Sequence, residues 1–260
     1  MERLIKIGKI KPRKASEIKN SRIGIGFEKL DRKVFNPEKA YDKLAMIGAK
    51  WVRIQSGWER TEQEKGVYDF EWLDSIVDNL LERGLVPWIN LAYGNGLYDD
   101  DAAKVFGAVG CPPVKSEEAK KGWADYITAL AAHMKGRISY YEVWNEPDGE
   151  WCWKHGPNGK EYGQFVVDTS VALKKGDSSA KVIGGAICMA KPLDFAYDAF
   201  SVGMGEHIDA ISFHEYVIDE TVVFRHVKAL RGLCNRFNPN IEIIPVSYTH
   251  LRAHETELHL

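Results

Sequence analysis

No CxxC pair occurs among the four cysteines, Cys111, Cys152, Cys188 and Cys234, which stand far apart in the chain. That spacing offers neither a zinc site nor a disulfide framework. No apolar run approaches bilayer-crossing length, and residues 1–14 alternate basic and aliphatic side chains without the apolar stretch of a secretory signal. A cytoplasmic location is the expectation. Charge of one sign is not in excess either: 35 Lys and Arg stand against 37 Asp and Glu, a formal net charge of -2. This balance carries no electrostatic footprint for nucleic acid and no charged tail for a partner. Neither a Gly-x-Gly-x-x-Gly turn nor a Walker sequence is present, so a nucleotide-binding open sheet has no support and no cofactor is expected.

What is present is an ordinary globular composition. The 260 residues are 45% hydrophobic and 28% charged, enough for one large domain with a real core. Aromatic residues make up 11%, including 8 Trp and 11 Tyr. Such rings fill cores, and they also stack on the apolar faces of sugars; composition does not choose between these uses.

Short apolar segments alternate with amphipathic ones along the chain. Strands are expected over 23–27, 51–55, 85–91, 138–144, 181–187, 208–213 and 241–245, with helices over 37–47, 70–82, 116–134, 160–174, 193–200 and 220–236. Pro37 suits a first helical turn, Ser116 ahead of Glu117 and Glu118 opens the third helix, and Gly48 and Gly84 stop two others. This beat predicts an α/β fold: a (β/α)8 TIM barrel, incomplete, with about seven strands present and the eighth unit missing. Residues 1–20 read as an N-terminal extension, 21–245 as the barrel and 246–260 as a tail. The irregular stretch 92–115, rich in Gly, Asp and Pro, is long enough to suggest a functional loop.

In such barrels the chemistry sits where strands end at their C-terminal side. The strongest signal there is Tyr140-Tyr141-Glu142-Val143-Trp144-Asn145-Glu146-Pro147-Asp148. An aromatic strand delivers Asn145 and Glu146 at its exit, and Pro147 biases Glu146 toward an extended backbone. A carboxyl group among Trp and Tyr rings at a half-enclosed mouth should have a raised pKa, which suits an acid that protonates a leaving oxygen.

Trp144-Asn145-Glu146-Pro147 resembles the acid/base signature of the clan A glycoside hydrolases. The surrounding segments are most similar to glycoside hydrolase family 39 and its β-xylosidase-like members. They include Ile23-Gly24-Ile25-Gly26-Phe27-Glu28, Trp51-Val52-Arg53, the 66–74 run and Ser212-Phe213-His214-Glu215-Tyr216. The resemblance covers roughly residues 23–245. It implies a retaining enzyme acting on plant-type poly- or oligosaccharides, with Glu146 as general acid/base. Asn145 would hold the sugar 2-hydroxyl, and Arg53 would orient the nucleophile. His214 and Tyr216 would line the cleft. Trp58, Trp88, Tyr93, Asn95 and Trp151 lie on or just after strands and are candidate sugar-binding walls, the alternative for each being packing. A carbohydrate is the expected partner; nucleic acid and membrane are not, and the oligomeric state is left open.

Retention needs two carboxyl groups about 5–5.5 Å apart. The resemblance puts the second on a glutamate leaving the seventh strand, where this sequence reads Pro245-Val246-Ser247-Tyr248-Thr249. Glu242 stands too early, and Glu215 belongs to the sixth strand. The tail 246–260 holds three of the eight histidines without barrel patterning, and it resembles translated adapter read-through at the end of a metagenomic reading frame. The expectation is a nucleophile lost by truncation and an inactive polypeptide. His250 and His254 beside Glu255 imitate half a metal site but lack a third ligand. Two rival readings are a carbohydrate-binding barrel without catalysis and a clan A β-galactosidase or β-glucanase. A metal-dependent hydrolase has only His214 in its favour.

Overall fold

The structure is a computed structural model that describes residues 8–9, 11–188, 193–216 and 220–249. Among these residues, seven strands form one parallel sheet in chain order: β1 (Gly24–Gly26), β2 (Trp51–Gln55), β3 (Val86–Leu91), β4 (Tyr140–Val143), β5 (Lys181–Ile187), β6 (Ala210–Tyr216) and β7 (Glu242–Thr249). The connections carry α1 (Tyr41–Met46), α2 (Trp58–Thr61), α3 (Glu71–Glu82), α4 (Glu117–Met134), α5 (Gly159–Gly176), α6 (Asp194–Ser201), α7 (Met204–His207) and α8 (Glu220–Phe237). This is an incomplete (β/α)8 barrel, as the strand–helix beat predicts. No helix among the described residues is long and apolar enough to cross a membrane.

Local chemistry explains the helices. Ser116 accepts the Ala119 N–H at 3.1 Å and two glutamates follow in the first turn, so both orphan donors and dipole are answered at the start of α4. Asn158 caps α5 in the same way through the Glu161 N–H, and Lys174 and Lys175 close its last turn. On α3, Leu73, Ile76, Val77 and Leu80 form the buried stripe expected from their spacing.

The strands alternate between two environments. Val52, Ile54, Tyr141, Val143, Ile211 and Phe213 join the main core between sheet and helices. Their neighbours point to the concave face, where Trp88, Ile183 and Ala210 pack with Tyr140, Ile244 and Val246. Side chains of β7 thus share one interior cluster with Trp88 of β3, which makes the sheet curled rather than flat.

Three boundaries differ from expectation. The first helix divides into a 3-10 turn at Pro37–Lys39 and α1. The sixth strand runs through Tyr216, and the seventh passes the expected boundary at 245 to reach Thr249. A register shift between Phe213 and His214 makes this possible, because it lets Ser247 to Thr249 keep pairing with His214 to Tyr216. His250, His254, Glu255 and Glu257 lie outside the described residues. Within the segment expected as an extension, Ala15 is fully buried and its carbonyl accepts from Lys50 Nζ at 3.1 Å, at the face opposite the strand exits.

Candidate active site

The exit of β4 is built around Trp144. Its ring is wholly buried and meets Tyr93, Trp123, Trp153 and Phe165, while its indole N–H donates to the Cys152 carbonyl at 2.7 Å. This anchor holds a bent backbone: Trp144 has φ 69° and Glu146 has φ 48°. Glu146 is therefore left-handed, not extended as Pro147 suggests. The local bias is overruled because the Glu146 N–H donates to the Ala186 carbonyl at 2.9 Å and its carbonyl accepts from Gly149 N–H at 3.1 Å. Strain of this kind costs about 1–3 kcal/mol per residue and persists where surroundings over-determine it.

Ala186 belongs to an irregular part of β5. The register with β6 shifts between Gly184 and Ile187, and Ala186 has φ 48°. Tyr162 of α5 bridges this bulge to β4, accepting the Gly185 N–H at 2.8 Å and donating to the Val143 carbonyl at 2.8 Å. Asp148 accepts the Cys188 N–H at 2.8 Å. The β4 exit is thus latched to the end of β5 at two points.

The Glu146 carboxylate takes two donors. His214 Nδ1 approaches Oε1 at 2.8 Å, and Trp151 Nε1 donates to Oε2. Burial pushes the Glu146 pKa up, but the bonds from His214 and Trp151 and the charges of His214 and Arg53 outweigh it, so the net shift is downward. This corrects the expectation of a raised value: the aromatic neighbour acts here as a hydrogen-bond donor rather than only as apolar cover. Cys188 is close by, its thiol pushed up to about 12 by burial and then by the charges of Glu146 and Asp148.

Glu146 opens onto a groove of about 390 Å³, walled on one side by Gly26, Phe27, Glu28, Lys29 and Phe35 and on the other by Asn145, Glu146, His214, Tyr216 and Val246. Arg53, 2% exposed, lies beneath it. Its Nε donates to Glu142 Oε2 at 2.7 Å, its Nη1 to Glu28 Oε1 at 2.5 Å and its Nη2 to Asn145 Oδ1 at 3.0 Å. Burial alone would lower the Arg53 pKa, but Glu142 and Glu28 raise it further and keep it charged. Glu142, wholly buried, also accepts from Asn90 Nδ2 at 2.8 Å and Ser212 Oγ at 2.6 Å. Ser212 Oγ in turn accepts the Ala186 N–H at 2.7 Å, so the interior network reaches the residue that holds Glu146.

The structure brings Glu146, Asn145, Arg53, His214, Tyr216 and Trp151 together. Tyr216, 54% exposed, stands edge-on to His214 at 6.4 Å, and Trp151 is 53% exposed at the rim. The other expected wall residues lie elsewhere. Trp58 is fully enclosed and stacks on Tyr98 and Tyr126 at 5.0 and 5.7 Å, so packing claims its ring. Asn95 organises its own loop, donating to the Glu62 carbonyl and accepting from Leu97 N–H. Trp88 fills the barrel interior beside the Arg53 guanidinium at 5.9 Å. Tyr93 is buried with its hydroxyl 3.8 Å from Cys152 Sγ. Glu215 faces away, paired with His226 of α8. Glu28 was not anticipated, although it leaves β1 just as Glu146 leaves β4. Among the described residues no group of three or more His, Cys, Asp or Glu side chains is placed to hold a metal ion.

Known proteins share the family and the fold. The description of glycosyl hydrolases family 39 matches residues 36–232. A β-xylosidase from Caldicellulosiruptor saccharolyticus is 30% identical over 231 residues, covering 78% of this chain and 46% of that protein. One from Geobacillus stearothermophilus is 29% identical over 163 residues, covering 58% and 31%. The chain therefore spans less than half the length of these curated relatives. In fold it is similar to the monomeric β-xylosidase of Caulobacter crescentus, with a TM-score of 0.65 at 18% identity over 90% of this chain and 52% of that one.

Proposed function

Because this chain belongs to glycosyl hydrolases family 39, we propose that its groove binds a β-xyloside and that Glu146 is the general acid/base of a retaining cleavage. One observation carries the reading: a carboxyl group at the C-terminal ends of parallel strands, gripped by His214 and Trp151 and opening onto a sugar-sized groove. Asn145 has its carbonyl committed to Arg53 and one amide hydrogen to Cys152 Sγ at 3.6 Å, which leaves its second amide hydrogen for a sugar hydroxyl. With His214 and Trp151 bonded to it, Glu146 favours its charged form. To deliver a proton its pKa must rise, and a sugar that draws the exposed Trp151 ring off the carboxylate and onto its own apolar face removes one donor and dries the site, both of which push in that direction. The proton then passes to the glycosidic oxygen as its bond to the anomeric carbon breaks.

The retaining route also needs a second carboxylate. The residues of β7 that pair beside His214 and Tyr216 are Ser247 and Thr249, with Tyr248 between them, and none is acidic. This favours a second reading, a barrel that binds carbohydrate without cleaving it. External azide separates the two. With phenyl β-D-xyloside as substrate, azide can attack the anomeric carbon while Glu146 protonates the departing phenol. We expect azide-dependent phenol release by the full chain and its loss, by about a hundredfold or more, in Glu146→Gln. Binding of the xyloside with no release at any azide concentration supports the second reading; release indifferent to Glu146 removes its acid role.

A further inference from the structure

Resting on the glycosidase reading of the groove, we propose that Glu28 is a specificity-determining residue that accepts a hydroxyl of a neutral glycoside from the β1 side. The carboxylate is held in place before any sugar arrives. Its Oε1 is bonded to Arg53 Nη1, and the side chain lies over Gly26, where an added Cβ would come within 3.3 Å of that same oxygen. Among the described residues, the second oxygen has no partner. With 33% of its side chain exposed against 3% for Arg53, Glu28 is the part of this ion pair that meets the groove. An acceptor anchored on one side and open on the other suits a hydroxyl donor.

Its surroundings select the ligand class. Phe35, 39% exposed and edge-on to Phe27 at 5.3 Å, lines the same wall. An apolar ring beside a fixed acceptor matches a sugar, which has an apolar face and hydroxyls at its edge. Charge selects further. Arg53 is shared between Glu28 and the buried Glu142, so its single positive charge does not neutralise both. With Glu146 across the groove, Lys29 is the lysine left at this wall. A sugar acid would meet an excess of carboxylates, and a neutral pyranoside would not.

The test uses the full chain with methyl β-D-xyloside and its three monodeoxy analogues, binding being followed by ligand-observed NMR titration. Glu28→Ala should weaken the parent glycoside by about tenfold, yet change by less than about twofold the affinity of the one analogue that already lacks the gripped hydroxyl. Glu28→Gln, which keeps shape and an acceptor, should recover part of the loss. A merely structural role predicts the same loss for every analogue, and that result, or no loss at all, overturns the proposal. Tighter binding of methyl β-D-glucuronide than of the xyloside overturns the neutral-sugar assignment. Failure of the wild-type chain to bind any of these glycosides is a different outcome: it overturns the glycosidase reading, and Glu28's role with it.

Discussion

His214 Nδ1 lies 2.8 Å from Glu146 Oε1, joining the sixth strand to the exit of the fourth. The bond favours the charged carboxylate, which is one reason the Glu146 pKa sits below its ordinary value. A depressed carboxyl contributes stability that is fully present above the unfolded-state value, about 4.3, and lost as pH falls through the lower folded value. Replacing His214→Phe keeps a ring but removes the donor, and should cost about 1–3 kcal/mol at neutral pH. The gap between wild type and variant should narrow as pH drops below the unfolded-state value. Urea unfolding over a pH series reads this; a gap that stays constant into acid would mean the contact acts by packing alone.

Arg53 offers a second test, because its partners are so unequal. Glu142 is fully buried, whereas Glu28 reaches the groove. Arg53→Met strands the Glu142 charge in the interior and should destabilise the protein by about 3–5 kcal/mol. Adding Glu142→Gln to that variant should restore a large part of the loss, since the uncompensated charge goes. Arg53→Lys should not rescue, because one ammonium cannot serve Glu142, Glu28 and Asn145 from three directions. Equal stability of the single and double variants would show that the loss does not come from an unpaired Glu142.

Trp58 and Trp151 separate packing from binding. Trp58 is wholly enclosed among Tyr98, Trp123 and Tyr126. Trp58→Ala should cost about 3–5 kcal/mol of stability while sparing xyloside affinity in whatever fraction stays folded. Trp151, half exposed, donates to Glu146. Trp151→Ala should cost about 1 kcal/mol or less but weaken xyloside binding by roughly threefold to tenfold. Thermal melts and binding titrations on both variants check the contrast; a reversed pattern would move the sugar site to the α2 side.

Much of this was open to reading from residues alone, for physical reasons. Period-two alternation with helical stripes between gives a parallel sheet, the rule that chemistry follows strand ends finds Glu146 and Asn145, and the family resemblance adds Arg53 and His214. What escaped depends on distant partners. The backbone of Glu146 is turned by a carbonyl on Ala186, and its pKa is set by His214 and Trp151, none of which local bias can anticipate. The same blindness applies to Trp58: a tryptophan after a strand looks alike whether it faces a groove or a neighbouring Tyr126. The reach of β7 to Thr249 depends on a register shift opposite Phe213 and His214, which the alternation in either strand does not reveal. Glu28, by contrast, obeyed the strand-end rule and closed a segment that carries the family resemblance, but nothing local shows that Arg53 holds it at the groove.

Gly185 tests whether the latch on β5 positions the acid. It has φ 107°, and a Cβ added there would run into the Ser212 carbonyl oxygen. Backbone cannot yield as a flexible side chain would, so Gly185→Ala must shift the β5 bulge. The strained backbone alone costs about 1–3 kcal/mol. The larger consequence is local. Ala186 follows at once, its N–H donating to Ser212 Oγ and its carbonyl accepting from Glu146 N–H. Displacing it should loosen the left-handed Glu146 and lengthen the bond to His214, letting the carboxyl pKa drift back up. Carbon-detected NMR titration of the glutamates should show the upward shift in Gly185→Ala, and no comparable shift in Gly136→Ala. Gly136 also has positive φ but open space around it, and so controls for backbone strain alone. If the two variants leave the Glu146 titration equally unmoved, the β5 bulge does not position the acid.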